Sequence, residues 1–269
     1  MEGNRYNRDK ERIKCIPKLE SYDKSLDYSY CLGVFPSLEL IAARPERVRR
    51  LLLAPEGEAN EGVAKLKAAC QALKVRWEYA PKALARLSRK ENCYAALVFD
   101  KYDDELSQAA PHVVLHHVSD GGNLGTVIRT CLGFGIQDLA IIRPAVDFFD
   151  PHVLRASMGA AFRVRVARFD SYEAYRERFT GHALYPFMLD AALPLEDAAA
   201  GRREPYALIF GNEGAGLPPD FARMGQSVVI PHGGQIDSLN LSVAAALGIY
   251  AFAGRPGQQG RLQRKEVDN

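Results

Sequence analysis

The sequence lacks long hydrophobic runs: nowhere in its 269 residues do 18 apolar residues follow one another. A helix that crosses a membrane needs about 20 such residues, so the sequence predicts no transmembrane segment. The first 18 residues are polar and charged. They contain no apolar stretch of the kind that a secretory signal requires, and the expected location is therefore the cytoplasm.

Metal-binding and disulfide patterns are missing as well. The five cysteines form no CxxC pair, and the six histidines form no HExxH motif. An odd number of scattered cysteines argues against a disulfide framework, and the missing pairs argue against a structural zinc site. We therefore expect no metal. His116 and His117 are adjacent on a predicted strand, where successive side chains point to opposite faces, so we expect their rings to diverge.

Neither sign of charge dominates, because 35 basic residues face 33 acidic ones and leave a net charge of +2. That balance alone does not indicate a nucleic-acid partner. Three local clusters of basic residues stand out: Arg5, Arg8, Lys10, Arg12, Lys14 and Lys18; Arg44, Arg47, Arg49 and Arg50; and Arg261, Arg264 and Lys265. Such clusters either contact a phosphate backbone or form solvated surface, and the sequence leaves both readings open.

The composition is that of a globular protein, with 47% hydrophobic residues and no visible internal repeat. Short apolar runs alternate with helical segments twice along the chain. The predicted parts are a basic leader (1–27), a small α/β unit (28–104), a polar linker ending at Pro111, a larger α/β unit (112–254) whose last helix spans residues 238–252, and a polar tail (255–269). The alternation predicts a mostly parallel sheet covered on both faces, preceded by a smaller α/β domain.

Three glycine-bearing segments follow predicted strands of the larger unit: residues 119–130, 209–217 and 230–242. In open α/β sheets, ligands bind beyond the carboxyl ends of the strands, and glycines there allow close approach of the backbone to a ligand. In the first segment Arg129 follows Asn123 by six residues, and we expect both to face one mouth. Each segment alone is equally typical of any α/β fold. Their common position at strand ends favours a shared site.

These segments resemble the motifs of the SpoU/TrmH family of RNA 2′-O-ribose methyltransferases. The similar stretches are GGNLGTVIRT (121–130), IFGNEGAGL (209–217), IDSLNLSVAAALGIY (236–250) and the shorter VLRASMGA (153–160). The three main motifs stand in the family's order, and the resemblance covers residues 112–252 and, more weakly, the leading unit. Gly121 stands where many members have proline, which changes the stiffness of the loop.

The resemblance implies a SPOUT fold with a deep C-terminal trefoil knot, and S-adenosylmethionine as the methyl donor. The implied reaction centre consists of Asn123, Arg129, Glu213, Ser238 and Asn240. The implied cofactor pocket is lined by Gly211, Asn212, Glu213, Gly214, Gly216, Leu217, Ile230, Ser238 and Leu239. Family members are homodimers whose active site draws on both chains, and the apolar final helix suits such an interface.

The implied activity is methylation of a ribose 2′-hydroxyl in ribosomal or transfer RNA, with ribosomal RNA favoured. A methyl group on a sulfonium is strongly electrophilic, so the reaction needs no metal, whereas the hydroxyl is a poor nucleophile until its proton is shared or removed. A guanidinium keeps its proton in proteins. We therefore expect Arg129 to hold the adjacent phosphate and aim the hydroxyl, while the proton passes to phosphate or water.

The leading unit resembles the small RNA-recognition domain that many members carry. Its candidates for stacking on bases are Tyr28, Tyr30, Phe35, Trp77 and Tyr79. Burial in the core is the alternative role for each of them.

Two other functions stay open at this point. One is methylation of an RNA base on the same knotted scaffold, against which the polar trio Ser238, Asn240 and Asn123 around Arg129 favours the ribose. The other is RNA binding without catalysis, against which the presence of all five reaction-centre residues argues. A role in antibiotic resistance and a housekeeping role are both compatible with the sequence.

Overall fold

The structure, a computed structural model, describes residues 20–88 and 93–253. The predicted tail, most of the predicted leader, and the first and third basic clusters lie outside the described residues. Two main sheets follow each other along the described chain, one in each predicted unit. The α/β class and the mostly parallel sheet of the larger unit are confirmed.

The first sheet is small and mixed. Its strands are β1 (Tyr28–Leu32), β2 (Val48–Leu53), β3 (Arg76–Tyr79) and β4 (Ala95–Asp100), in the spatial order β1-β4-β2-β3. Strand β2 pairs parallel with β3 and antiparallel with β4, which also pairs antiparallel with β1. The helices of this unit are α1 (Val34–Ala43), α2 (Glu61–Ala72) and α3 (Pro81–Leu87). The sequence predicted each of these elements except β1.

Helix α2 shows why the sequence pattern succeeds here. The Asn60 side chain caps it by accepting hydrogen bonds from the backbone N–H groups of Gly62 (2.9 Å) and Val63 (3.2 Å). Val63, Leu66 and Cys70 recur at helical spacing and are all buried in the core. The cap sets where the helix begins, and the apolar stripe fixes the face that it turns towards the sheet.

The second sheet is larger and entirely parallel. Its strands are β5 (His112–His116), β6 (Asp138–Ile142), β7 (Arg165–Phe169), β8 (Ala183–Pro186) and β10 (Tyr206–Phe210), in the order β7-β6-β5-β10-β8. The helices around it are α4 (Gly121–Gly133), α5 (Pro151–Ala156), α6 (Tyr172–Arg178), α7 (Leu195–Ala200) and α8 (Leu241–Ala253). Two short strands, β9 (Leu193–Pro194) and β11 (Val228–Val229), pair with each other. The central strands are buried along their whole length, as a sheet covered on both faces requires.

The middle of this sheet is where the site forms. Strand β5 pairs with β6 on one side and with β10 on the other, in a parallel register that sets Leu115 beside Phe210. Because parallel strands end at the same edge, the segments after β5 and β10 emerge side by side. From β5 the sheet continues through β6 and β7 on one side and through β10 and β8 on the other, so the strand order reverses between β5 and β10. Ligands of open α/β sheets bind at such a reversal.

The two units pack against each other through a shared core. The ring of Phe99 from β4 contacts Phe149 and Phe162 of the larger unit, with centroids 6.1 and 5.6 Å apart. The side chains of Lys101 and Asp147 form a buried ion pair of 2.6 Å. The predicted polar linker is not exposed throughout, since Leu106 within it is 6% exposed. The division of the chain into domains stays a prediction.

Two local predictions are wrong. The final helix begins at Leu241, so Ser238 and Asn240 precede it instead of lying in its first turns. The rings of His116 and His117 do not diverge but stack, with centroids 3.7 Å apart and an angle of 27°. The reason is that β5 ends at His116, and His117 adopts a left-handed φ of 59°, which breaks the alternation of a strand.

Candidate active site

The loop after β10 folds tightly back on itself. A Cβ on Gly211 would lie 2.2 Å from the carbonyl carbon of Gly216, so a larger residue has no room there. Gly216 has a φ of +67°, in the left-handed region that glycine adopts without strain. Asn212 and Gly216 exchange two backbone hydrogen bonds, of 3.1 and 2.9 Å. Close packing of the loop therefore explains Gly211, and the left-handed backbone explains Gly216.

The side chain of Asn212 holds this loop in place. Its Oδ1 accepts hydrogen bonds from the backbone N–H groups of Gly214 (2.9 Å) and Ala215 (3.0 Å). Its Nδ2 donates to the backbone carbonyl of His117, 2.9 Å away at the end of β5. The amide thus closes the loop and ties it to the neighbouring strand.

Glu213 joins the same loop to the start of helix α4. Its carboxylate accepts hydrogen bonds from the backbone N–H groups of Ser119 (3.0 Å) and Asp120 (2.9 Å), and from the Ser119 hydroxyl (2.8 Å). The Asn123 side-chain amide donates a further hydrogen bond of 3.2 Å. Four donors from one short segment therefore surround a single carboxylate.

These hydrogen bonds decide the charge of Glu213. Burial raises its pKa, but the backbone N–H groups of Asp120 and Ser119 outweigh burial and lower the pKa to about 2. The carboxylate also lies near the amino end of α4, where the helix dipole favours negative charge. Glu213 is consequently ionised near pH 7 and is unsuited to carry a proton in a reaction at that pH.

Asn240 brings the third motif to the same place. Its Nδ2 donates to the side-chain oxygen of Asn123, 3.0 Å away. Its Oδ1 caps helix α8 by accepting from the backbone N–H of Ser242, at 2.8 Å. A continuous chain of hydrogen bonds therefore links Glu213, Asn123 and Asn240, one residue from each sequence motif.

A cavity of about 200 Å³ lies beside this network. Of the residues predicted to bind a cofactor, those that line it are Gly211, Asn212, Glu213, Gly214, Gly216, Ile230, Ser238 and Leu239. Leu217 does not line this cavity. Its side chain is buried in a separate core cluster that includes Ile209 and Phe221. The structure thus brings the second and third glycine-bearing segments to one cavity, and the first segment joins them through the hydrogen bonds of Asn123 to Glu213 and Asn240.

The sequence missed the apolar wall of this cavity. Phe187 and Phe210 stack with centroids 4.4 Å apart and an angle of 26°, and both line the cavity. Gly248 of α8 packs so closely that a Cβ there would lie 2.6 Å from the Phe187 ring. Both aromatic residues lie at or just beyond the carboxyl end of a strand, the same position that marked the glycine segments. That position was the available signal, although aromatic residues there are equally common in cores.

Arg129 lies apart from the network. Six residues on an α-helix correspond to a rotation that leaves two side chains about 120° apart, so Arg129 and Asn123 do not share a face of α4. The expectation that both face one mouth stays a prediction. Arg129 is exposed and does not line the glycine-walled cavity. It has no hydrogen-bond or ion-pair partner within the described residues.

The second basic cluster is largely engaged by acidic partners. The ion pairs are Arg44–Asp104 (2.9 Å), Arg47–Glu46 (3.5 Å), Arg49–Asp27 (2.7 Å), Arg49–Asp100 and Arg50–Glu78. Because these arginines are paired with carboxylates, they are poorly placed to bind phosphate. The structure favours the alternative that the cluster is part of the solvated surface.

The five candidate stacking residues divide into two groups. Tyr28 and Tyr30 are 4% and 0% exposed and belong to the core of the first unit. Phe35, Trp77 and Tyr79 are exposed by 52%, 40% and 46%. Only the second group is accessible to a base.

No helix of the described residues is both long and apolar enough to span a membrane. Within residues 20–88 and 93–253, no group of three or more histidine, cysteine, aspartate or glutamate side chains is placed to hold a metal ion.

Comparison with known proteins identifies relatives of the larger unit. The chain is 31% identical over 154 residues to the 23S rRNA (guanosine(2553)-2′-O)-methyltransferase RlmP of Bacillus subtilis, a match that covers 56% of this chain and 61% of that protein. It thus spans less than two thirds of that relative. It is 27% identical over 238 residues to the 23S rRNA (guanosine-2′-O-)-methyltransferase RlmB of Acinetobacter baylyi, covering 82% of this chain and 95% of that protein.

A solved structure supports the fold over nearly the whole chain. The SpoU methyltransferase AviRb of Streptomyces viridochromogenes, solved in complex with the cofactor AdoMet, superimposes with a TM-score of 0.73 at 23% identity and covers 93% of each chain. Residues 110–250, more than half of the chain, match the SpoU rRNA Methylase family. The site described above lies inside this match, and the chain belongs to the SpoU rRNA methylase family.

Proposed function

We propose that the protein transfers a methyl group from S-adenosylmethionine to a ribose 2′-hydroxyl of RNA, with ribosomal RNA as the favoured substrate and the cytoplasm as its location. The observation that carries the proposal is the hydrogen-bonded chain Glu213–Asn123–Asn240 beside a glycine-walled cavity. Family membership supports it, as do the names of the relatives RlmP and RlmB, which are 23S rRNA 2′-O-methyltransferases.

The residues around the cavity fit the proposed cofactor. Phe187 and Phe210 offer apolar surface to an adenine, and the backbone at Gly214 and Gly216 leaves room for close approach of a ligand. The exposed hydroxyl of Ser238 is available as a polar contact at the same cavity. S-adenosylmethionine supplies, when bound, a methyl group on a positively charged sulfur. The negative charge of Glu213 at the cavity wall is compatible with that cation.

The polar network would orient the substrate. Glu213 holds the start of α4 and the Asn123 amide in fixed positions, so Glu213 acts on the reaction through Asn123. The side-chain amides of Asn123 and Asn240 are hydrogen-bonded to each other beside the cavity and can position a hydroxyl. Arg129 is proposed to hold the adjacent phosphate, while the proton of the 2′-hydroxyl passes to phosphate or water.

The position of Arg129 supports a site completed by a second copy of the chain. Within one chain Arg129 is exposed, and on an ideal helix its side chain lies about 120° from that of Asn123. Helix α8, which packs beside α4, exposes Val243, Leu247 and Tyr250 at helical spacing, by 46%, 40% and 48%. We propose that this apolar face is the centre of a homodimer interface and that each chain contributes Arg129 to the site of its partner.

The remaining predictions form part of the same proposal. Residues 28–104 would recognise the RNA, with Phe35, Trp77 and Tyr79 as stacking candidates. Residues 112–254 would form the methyltransferase domain and its trefoil knot.

Methyl transfer from labelled S-adenosylmethionine tests the proposal. Total RNA from a strain that lacks the gene is incubated with the purified protein, and incorporated label is counted. We expect label in ribosomal RNA and a one-to-one binding isotherm for S-adenosylmethionine by calorimetry. No calorimetric binding would favour RNA binding without catalysis. Label confined to transfer RNA would contradict the preference for ribosomal RNA.

A further inference from the structure

A second cavity, of about 600 Å³, lies on the other side of the loop 211–217. It opens beyond the carboxyl ends of β5 and β6 and is bordered by His116, His117, Ser119, Pro144 and Pro218. Asn212, Ala215 and Gly216 border both cavities, so a single thickness of loop separates them. None of the predicted reaction-centre residues lines this second cavity, and the proposed cofactor leaves it unexplained.

The walls of the second cavity are formed largely by histidine and proline rings. The stacked rings of His116 and His117 form one wall, and Pro144, Pro218 and Pro219 contribute rigid apolar surface. Burial and the adjacent His117 lower the pKa of His116 to about 4, so this ring is neutral near pH 7. Among the described residues that line the cavity there is no lysine, arginine, aspartate or glutamate. Such walls suit a planar aromatic ring and offer no counter-charge to a phosphate.

One polar atom in this wall lacks a partner. His116 is 7% exposed, and its Nδ1 is buried and forms no hydrogen bond within the described part of the chain. An unpartnered buried polar atom is costly and uncommon in a folded protein. Because this atom is shielded from solvent, a ligand in the cavity would contact the faces of the rings and not this nitrogen.

The second cavity adjoins the hydrogen-bonded network of Glu213 across the loop 211–217. Ser119 borders it and donates its hydroxyl hydrogen bond of 2.8 Å to Glu213. The backbone carbonyl of His117 receives the Asn212 amide at 2.9 Å, so the residue that borders the second cavity also anchors the loop of the first. A group that enters the second cavity thus lies next to the network that holds Asn123.

We propose that the second cavity receives the base of the nucleotide to be methylated and that His117 is the side chain on which this base stacks. The inference rests on the proposed RNA 2′-O-methyltransferase activity. The base and the 2′-hydroxyl are attached to neighbouring carbons of one ribose. A base seated beside Ser119 therefore brings the 2′-hydroxyl of its nucleotide to the Glu213–Asn123 side of the loop. His117 is then a substrate-binding residue.

The first experiment detects the base without requiring methyl transfer. The ring protons of ¹³C-labelled histidines are followed by NMR while AMP, GMP, CMP, UMP or ribose 5-phosphate is added to the full chain, and the His117→Phe variant assigns the His117 signal. We expect at least one nucleotide to shift the His117 signal through the ring current of its base, and ribose 5-phosphate to leave it in place. An equal shift with ribose 5-phosphate, or no shift with any nucleotide, would overturn the inference.

The second experiment uses methylation kinetics with titrated RNA. Loss of one stacked base typically weakens binding by about tenfold, so we expect His117→Ala to raise the KM for RNA roughly tenfold while the calorimetric affinity for S-adenosylmethionine stays unchanged. His117→Phe keeps an aromatic face and should recover most of that loss. His152→Ala removes an exposed imidazole outside both cavities and serves as the control.

The outcomes separate the inference from the activity on which it rests. An unchanged KM for RNA in His117→Ala, or a His117→Phe variant as impaired as His117→Ala, would refute stacking on His117. A wild-type chain that methylates no RNA would refute the proposed function instead, and the NMR titration would still decide whether the cavity takes a base. Circular dichroism of each variant excludes loss of folding as the cause.

Discussion

The side-chain amide of Asn123 donates a 3.2 Å hydrogen bond to Glu213, which lies 90 residues further along the chain. The same Asn123 side chain accepts a hydrogen bond from Asn240, so it is the meeting point of three distant segments. Neighbouring parallel strands make this meeting possible, because β5 and β10 end at the same edge of the sheet. The site thus depends on strand order, and the hydrogen bonds fix its details.

Replacing Glu213 by Gln tests the role of the carboxylate. The variant keeps the shape of the side chain but loses the charge that accepts from Ser119, Asp120 and Asn123. We expect a loss of about 1–3 kcal/mol in the free energy of unfolding and a fall of at least about tenfold in methyl transfer, because the Asn123 amide is no longer held. Urea unfolding and labelled-methyl counting measure the two effects. Glu177→Gln, an exposed glutamate on α6, is the matched control, and equal effects in both variants would contradict the account.

The stability contributed by Glu213 should depend on pH. Its pKa in the folded chain is lowered from 4.5 to about 2, so its contribution is complete above pH 4.5 and is lost as the pH falls towards 2. The Tm difference between wild type and Glu213→Gln should therefore be largest near pH 7 and shrink steadily below pH 4.5. Scanning calorimetry at several pH values measures it. A difference that stays constant down to pH 2.5 would be incompatible with an ionised, hydrogen-bonded carboxylate.

Gly211→Ala tests whether the folded-back loop forms the cofactor cavity. The added Cβ would lie 2.2 Å from Gly216, so the loop must open and the cavity wall must move. We expect the affinity for S-adenosylmethionine to fall by more than about tenfold, as for other losses of about 1.4 kcal/mol or more in binding free energy. Gly133→Ala is the control, since a Cβ there meets nothing within 4 Å. Wild-type affinity in Gly211→Ala would show that the cofactor binds elsewhere.

How much of this site was visible in the sequence differs from residue to residue. The three motifs and the hydrogen bonds that join them followed from glycines and polar residues placed after apolar strands, a local pattern that survives folding. The stacking of His116 and His117 did not follow, because the left-handed φ of His117 ends the strand alternation at a point that periodicity cannot locate. Helix α8 starts later than expected because Asn240 caps it.

The placement of Arg129 illustrates a different limit. Helical geometry sets its side chain about 120° from that of Asn123, and the second chain that we propose to bring it to the site is not visible in any single-chain pattern. Strand β1 was also missed, since its residues follow a polar leader that hides the boundary. Tyr28 and Tyr30 are consequently core residues, and the exposed aromatics lie elsewhere on the same unit.

Mixing two inactive variants tests the shared site. Arg129→Ala keeps an intact cofactor cavity, whereas Gly211→Ala keeps Arg129. If each site takes its arginine from the partner chain, a mixed dimer contains one complete site. After co-refolding in equal amounts, half of the dimers are mixed, so activity should recover to about a quarter of the wild-type value. Activity no higher than the sum of the two separate variants would contradict a site built from two chains.

The chemical position of the transferred methyl group decides whether the protein methylates the ribose 2′-hydroxyl or the base. RNA labelled by the purified protein and radioactive S-adenosylmethionine is hydrolysed with alkali, which cleaves after every nucleotide that has a free 2′-hydroxyl. We expect the label in an alkali-resistant dinucleotide, and we expect Asn123→Ala to abolish it. Label recovered in a mononucleotide with a methylated base would contradict the account.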